Sequence, residues 1–122
     1  MKLCISSTGN DLDASVDPRF GRCQFFLFID AETMAFEAVG NLAFMAGGGA
    51  GIQAAQMAAN KGADVVITGN VGPNAFEALH AAGIKIITGA QGTVRGVIDS
   101  FKKREFDYAG APSVETHYGV RR

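Results

Sequence analysis

The sequence predicts an α/β domain: a mixed five-stranded sheet of order 3-2-1-4-5, with its second strand antiparallel to the rest and three helices on its faces. Three observations carry this. Near Gly47 the spacing of apolar residues changes from hairpin-type to strand–turn–helix. The segment Val66-Ile67-Thr68-Gly69-Asn70-Val71-Gly72 is echoed twenty residues later by Ile86-Ile87-Thr88-Gly89-Ala90-Gln91-Gly92. Each copy reads as a strand, a Thr-Gly-x-x-Gly turn and a helix start, and consecutive units of that kind imply parallel neighbours joined by right-handed crossovers. Finally, 122 residues with 48% hydrophobic and 19% charged side chains fit one globular domain with a real core.

The elements follow in order. Leu3-Cys4-Ile5 is a short buried strand, stopped by the polar run from Ser6 to Asp13. A loop containing Asp17-Pro18-Arg19-Phe20-Gly21 leads into a second strand, Gln24 to Asp30. Its Phe25, Leu27 and Ile29 fall on one face and Phe26 and Phe28 on the other, which calls for cover on both sides of the sheet. Ala31-Glu32-Thr33 turns the chain into a third strand, Met34 to Val39.

The alanine-rich stretch Ala50 to Asn60 reads as the first helix, capped by Gly62. Asp64 to Thr68 is a β-branched strand, Pro73 to Ala82 a helix closed by Gly83, and Ile84 to Thr88 the fifth strand. Val94, Val97, Ile98 and Phe101 then form the apolar stripe of a third helix, N-capped by Thr93, with Lys102-Lys103-Arg104 at the negative end of its dipole. The domain is expected to span 1–105, with 106–122 a loosely ordered tail.

Composition narrows the functions. Eleven basic and twelve acidic residues leave a net charge of −1, which gives no general reason to bind nucleic acid. The basic residues are dispersed apart from Lys102-Lys103-Arg104 and Arg121-Arg122. No apolar run approaches the roughly 18 residues that span a bilayer, and the opening MKLCISSTGN lacks a signal-peptide pattern. The expectation is a cytoplasmic protein that engages no membrane, with Cys4 and Cys23 as reduced thiols.

With the second strand antiparallel, the other four strands point one way. The loop after strand one, the glycine loop Gly47 to Gly51, and the turns Gly69–Gly72 and Gly89–Gly92 then emerge at one edge, with 17–23 beside them. Ligands of open α/β sheets bind outside the carboxyl ends of strands. Three helix N-termini are expected to open there, with Arg19 and Arg22 adding full positive charge, so the edge suits an anion. Phosphate, carboxylate and a sulfide-rich metal cluster all qualify. The candidate binding residues are Arg19, Arg22, Gly49, Gly51, Gly69, Asn70, Gly72, Asn74, Gly92 and Thr93.

Each has a plainer reading, since glycines in α/β turns serve backbone geometry first. The GxGxxG-like run at Gly47-Gly49 follows no clean strand–turn and is a weak signal. Cys4 within a strand reads as core. His80, one turn after Phe76, reads as a half-buried structural residue, and His117 lies in the tail. No CxxC or HxxxH pattern marks a closed zinc site.

Taken together, Phe20-Gly21-Arg22-Cys23 before a Phe-rich strand, Gly49-Ala50-Gly51-Ile52-Gln53, the segment GADVVITGNVGPNAFEALHAAGIKI and Gly92-Thr93-Val94 are highly specific. They resemble the dinitrogenase iron–molybdenum cofactor biosynthesis family, the domain shared by NifX, NafY and the C-terminal part of NifB. The resemblance covers about residues 1 to 105. It implies a ribonuclease H-like fold and a nitrogen-fixation accessory protein, not an enzyme. Such a protein carries an iron–sulfur cluster or iron–molybdenum cofactor precursor between donor and acceptor proteins. Several relatives have a histidine before the first helix, where this chain reads Phe44-Met45-Ala46-Gly47. Cys23 is then the best soft metal ligand, expected to be partly exposed and favoured as thiolate by the nearby arginines and helix N-termini.

Two other classes compete. A metal-dependent nuclease needs carboxylates on the central strands, which here offer only Asp64. A binding or sensor module for a small phosphorylated metabolite suits the Thr-Gly-x-x-Gly turns equally well.

Overall fold

The computed structural model describes residues 1–41 and 49–113. The chain runs β1 (Lys2–Ser7), β2 (Phe25–Asp30), β3 (Phe36–Gly40), α1 (Ala50–Asn60), β4 (Val65–Ile67), α2 (Pro73–Ala81), β5 (Lys85–Ile87) and α3 (Val94–Lys102). The sheet order is β3-β2-β1-β4-β5. β2 is antiparallel to both neighbours, while β1, β4 and β5 pair in parallel. Order, direction and helix count are those expected.

Alternation along the strands separates two cores. Cys4, Phe26, Phe28, Val66 and Ile86 face α1 and α2 and pack with Ala54, Ala58, Ala75 and Leu79. Leu3, Ile5, Leu27, Ile29, Val65, Ile67 and Ile87 face α3 and pack with Val94, Val97 and Ile98. Fully burying a large aliphatic side chain contributes about 1.5–3 kcal/mol, so this two-sided cover is the main source of stability. Among the described residues no helix is long and apolar enough to cross a membrane.

Two boundaries differ from expectation. β3 begins at Phe36 because the turn is longer: the Asp30 carboxylate accepts the Glu32 N–H at 2.8 Å and the Thr33 N–H at 3.2 Å, and Met34 takes φ 66°. Those two donors hold the Asp30 carboxyl below its usual range. Residues 106–113, expected to be loose, are tied to the body by Ala109 N–H to Ile86 O at 2.7 Å and Ser113 N–H to Val71 O at 3.0 Å. They form no helix or strand but run beside the outer strand β5.

All three helices end alike. The N–H groups of Gly62, Gly83 and Arg104 return to Ala59 O, His80 O and Phe101 O, and those of Ala63, Ile84 and Glu105 to Ala58 O, Leu79 O and Ser100 O. These are Schellman motifs, which need a left-handed residue just past the helix. Gly62 and Gly83 supply it at φ 77° and 78°, and Arg104 supplies it at φ 60°.

Candidate functional site

The carboxyl end of β1 delivers Ser6 and Ser7 to the edge of the sheet, both buried. Ser6 Oγ lies 2.7 Å from both Asp17 O and Thr68 Oγ1, so it joins the ends of β1 and β4 to the 17–23 loop. Asp17 is buried and its carboxylate accepts the Arg19 N–H at 2.9 Å, an Asx turn that sends the loop outward. The Arg19 guanidinium is exposed, with Nε 3.8 Å from the same carboxylate. Phe20 then plunges into the core, its ring 5.3 Å from that of Phe26, and its N–H reaches Asn70 O at 3.2 Å. Arg19 pairs with Asn70 in an isolated parallel bridge, which places the loop directly against the Gly69–Gly72 turn.

Close approach makes glycine necessary at Gly69 and leaves little room for a side chain at Gly51. A Cβ on Gly69 would lie 2.6 Å from Pro18 Cα, and one on Gly51 would lie 3.1 Å from Ala75 Cβ. Gly51 in turn lies beneath Gly21, whose own Cβ would come within 3.0 Å of Gly51 Cα. The first turns of α1 and α2 therefore meet each other and the 17–23 loop. Gly49 at φ 83° precedes α1, and Gly72 precedes α2 with Pro73 and Asn74 in its first turn; neither helix start carries a side-chain cap. The next turn is stitched alongside by Gly89 N–H to Gly69 O at 2.8 Å.

Among the described residues, the starts of α1 and α2 carry no side-chain cap, whereas that of α3 is closed. α3 packs on the opposite face of the sheet, and the segment after β1 closes its start. The Val94 and Arg95 N–H groups donate to Ala14 O and Leu12 O at 2.9 and 2.8 Å, and Val16 N–H donates to Gly92 O at 2.8 Å. Thr93 Oγ1 accepts the Gly96 N–H at 3.0 Å. Gly92 and Thr93 thus act in closing α3. Thr93→Ala is expected to cost about 1 kcal/mol in thermal or urea unfolding, the ordinary loss for a cap, while leaving ligand binding at the Arg19 edge unchanged.

Cys23 departs from expectation. Its side chain is fully buried in the core beneath α1 and α2, although Arg22 before it is exposed. Burial, and then the negative charge of Asp17, push the thiol up to about 12, against the smaller opposing effect of nearby N–H donors including Asn41. Asn41 Nδ2 also donates to Gly21 O at 3.0 Å and Cys23 O at 2.8 Å, holding the segment against the end of β3. The exposed, acidified thiol expected from the sequence is not what the fold makes. Cys4 is likewise buried and raised well above its usual value, by burial first and by Cys23 second.

His80 is exposed and stacked on Phe76 at 6.0 Å, toward the far end of α2. His117 and the stretch Phe44–Gly47, with Gly48, lie outside the described residues. Among the described residues no three His, Cys, Asp or Glu side chains gather as a metal-ligand set. Ser113, which carries no motif, proves to belong to this edge: its Oγ accepts the Val71 N–H at 2.8 Å and lies 3.5 Å from Asn70 Oδ1. Asp17, Ser6, Thr68 and Asn41 are equally absent from the sequence candidates. Of these only Asp17-Pro18, a turn pair, leaves a local signal.

A model of the family described as dinitrogenase iron-molybdenum cofactor matches residues 1–104. Among solved structures, the apo form of the orange protein from Desulfovibrio gigas is 45% identical with a TM-score of 0.90, covering 93% of this chain and 96% of that one. A Thermotoga protein provisionally described as NifB, of the DUF35 family, is 37% identical with a TM-score of 0.77 over 88% of this chain and 91% of its own. An uncharacterized protein of Methanocaldococcus jannaschii is 30% identical over 70% of this chain and 72% of its own length.

Proposed function

The chain belongs to the dinitrogenase iron–molybdenum cofactor family, and from that premise we propose that it carries an anionic metal–sulfur cargo without turnover. The cargo is an iron–sulfur cluster or iron–molybdenum cofactor precursor, received from one protein and passed to another. The observation that supports this reading is the meeting of two helix starts without side-chain caps, those of α1 and α2, beside the exposed Arg19. Each start presents unpaired N–H groups and about half a positive charge. Arg19, Arg22, Gly49, Gly51, Gly69, Asn70, Gly72 and Asn74 make up the cargo surface in this reading.

The donor set fits an anion held from outside. With both described cysteines buried and no ligand triad among the described residues, the hold falls to N–H donors and guanidinium groups around the sulfides. The Desulfovibrio gigas relative is an apo form. A cargo protein of this kind would likewise exist with and without its group.

The test is anaerobic purification, incubation with iron and sulfide with and without molybdate, and measurement of iron, molybdenum and acid-labile sulfide after gel filtration. Stoichiometric retention is expected, reduced about tenfold by Arg19→Ala, the loss of one charge-assisted contact. Thr93→Ala should retain as much as the parent chain. No retained iron, together with saturable binding of inorganic phosphate that Arg19→Ala removes, would replace the cargo reading with that of a phosphorylated-metabolite module.

A further inference from the structure

We propose that the cavity at the C-terminal end of α3 is a second binding site, specific for a small aromatic anion. It has a volume of about 490 Å³, within the ordinary range for small-molecule sites. Met1 just before β1 and Arg104 beyond the end of α3 place it at the opposite edge of the sheet from Arg19. It is therefore independent of the cargo surface.

The walls are apolar and largely aromatic. Ile87 of β5, Phe101 of α3, and Phe106 and Tyr108 of the segment beyond α3 line the cavity. That segment is fixed in place, because the Ala109 N–H to Ile86 O bond anchors it to β5. Met1 and Tyr108, at 56% and 51% exposure, are two of the large apolar side chains that the fold leaves in solvent, and both line this cavity. A ring entering it would cover them.

The lining also carries positive charge. Lys102 and Arg104 are part of it, and outside it Lys85 Nζ stands 5.9 Å from the centre of the Tyr108 ring. Lys102 Nζ lies 3.4 Å from Met34 Sδ, and among the described residues neither Lys102 nor Arg104 forms an ion pair. Glu105 and Asp107 neighbour them in sequence but do not line the cavity. Two cations without carboxylate partners over aromatic walls are complementary to an arene bearing one carboxylate or sulfonate.

Arg104 supplies the independent argument. It occupies the left-handed position of a Schellman motif, and at the same position of the other two helices this chain uses Gly62 and Gly83. A side chain at φ 60° is strained where glycine is not. The one helix that abandons glycine does so at a residue that lines the cavity. Closing the helix turn alone would favour glycine there, and the residue used instead brings a guanidinium to the cavity.

Calorimetric titration of the full chain with naphthalene-2-sulfonate tests this. One-to-one saturable binding is expected, with naphthalene-2-carboxamide, which has similar rings but no charge, binding about tenfold more weakly. Arg104→Gly should raise the melting temperature by about 3 °C while weakening the sulfonate about tenfold and leaving the carboxamide unchanged. Because the variant is expected to fold better than the parent, lost binding cannot be ascribed to unfolding. Equal affinity of Arg104→Gly for the sulfonate, equal binding of the two compounds by the parent, or a lowered melting temperature in Arg104→Gly would each overturn the proposal.

Discussion

Gly69→Ala is expected to destabilise the fold by about 3 kcal/mol and to abolish cargo retention, through the addition of a single methyl group. The new Cβ would lie 2.6 Å from Pro18 Cα and 3.0 Å from Pro18 O, both backbone atoms that cannot turn aside as a flexible side chain would. Neither partner is free to retreat. Pro18 is held through Asp17, whose carbonyl accepts Ser6 Oγ at 2.7 Å and whose carboxylate accepts the Arg19 N–H at 2.9 Å. Gly69 is held by its carbonyl, which accepts the Gly89 N–H at 2.8 Å. Relief requires the 17–23 loop to lift from the Asn70 turn, which carries Arg19 away from the α2 start. Gly72→Ala, three residues on, is the control: its Cβ meets nothing within 4 Å, and its φ of −82° suits any residue. Urea unfolding should place Gly72→Ala within about 0.5 kcal/mol of the parent. A Gly69→Ala chain of parental stability would show that the two loops are not locked together.

The sheet was legible because its determinants are local and repeated. The Val66 and Ile86 copies each carry strand, turn and helix start within a few residues, and the two-faced alternation of Phe26 and Phe28 against Leu27 and Ile29 signals a sheet covered on both sides. Gly62, Gly83 and Thr93 announced helix ends by chemistry that acts within one turn of chain. What was not legible depends on pairings between distant segments. Nothing in Leu12 to Val16 shows that it will close α3, because those bonds use backbone atoms that every residue possesses. Ser113 is one hydroxyl in an aperiodic stretch until the chain folds back across Val71. Topology alone brings three helix starts to one edge, and only the folded chain shows the Leu12 to Val16 segment and Thr93 occupying the start of α3. Cys23 failed for a related reason. Sequence adjacency to Arg22 fixes nothing about side-chain direction, and residue 23 points into the core while residue 22 is exposed.

That burial has a large consequence for reactivity. In the native chain at pH 8, Cys23 is expected to react with a thiol reagent such as dithionitrobenzoate at least about a thousandfold more slowly than a free cysteine, because only the thiolate is nucleophilic. With the thiol pushed up from 9.0 to about 12, its ionised fraction at pH 8 falls by that factor before any steric protection is counted. The same displacement makes stability depend on alkaline pH, and its sign is fixed. Below about pH 9 the thiol is neutral both folded and unfolded, so its contribution is constant. As pH rises from about 9 towards about 12, the unfolded thiol ionises while the folded one keeps its proton, so stability falls with rising pH. Each tenfold preference for the neutral form corresponds to about 1.4 kcal/mol, which makes the full loss about 4 kcal/mol near pH 12. Cys23→Ala should be less stable than the parent at pH 7, by about 1–2 kcal/mol for the cavity it leaves, and that gap should close and then reverse above pH 9. The difference between the two chains carries the result, because it isolates this one thiol. Rapid labelling of Cys23 at pH 8 in a chain whose Cys4 stays silent would contradict the buried neutral thiol. It would return Cys23 to the set of metal-ligand candidates.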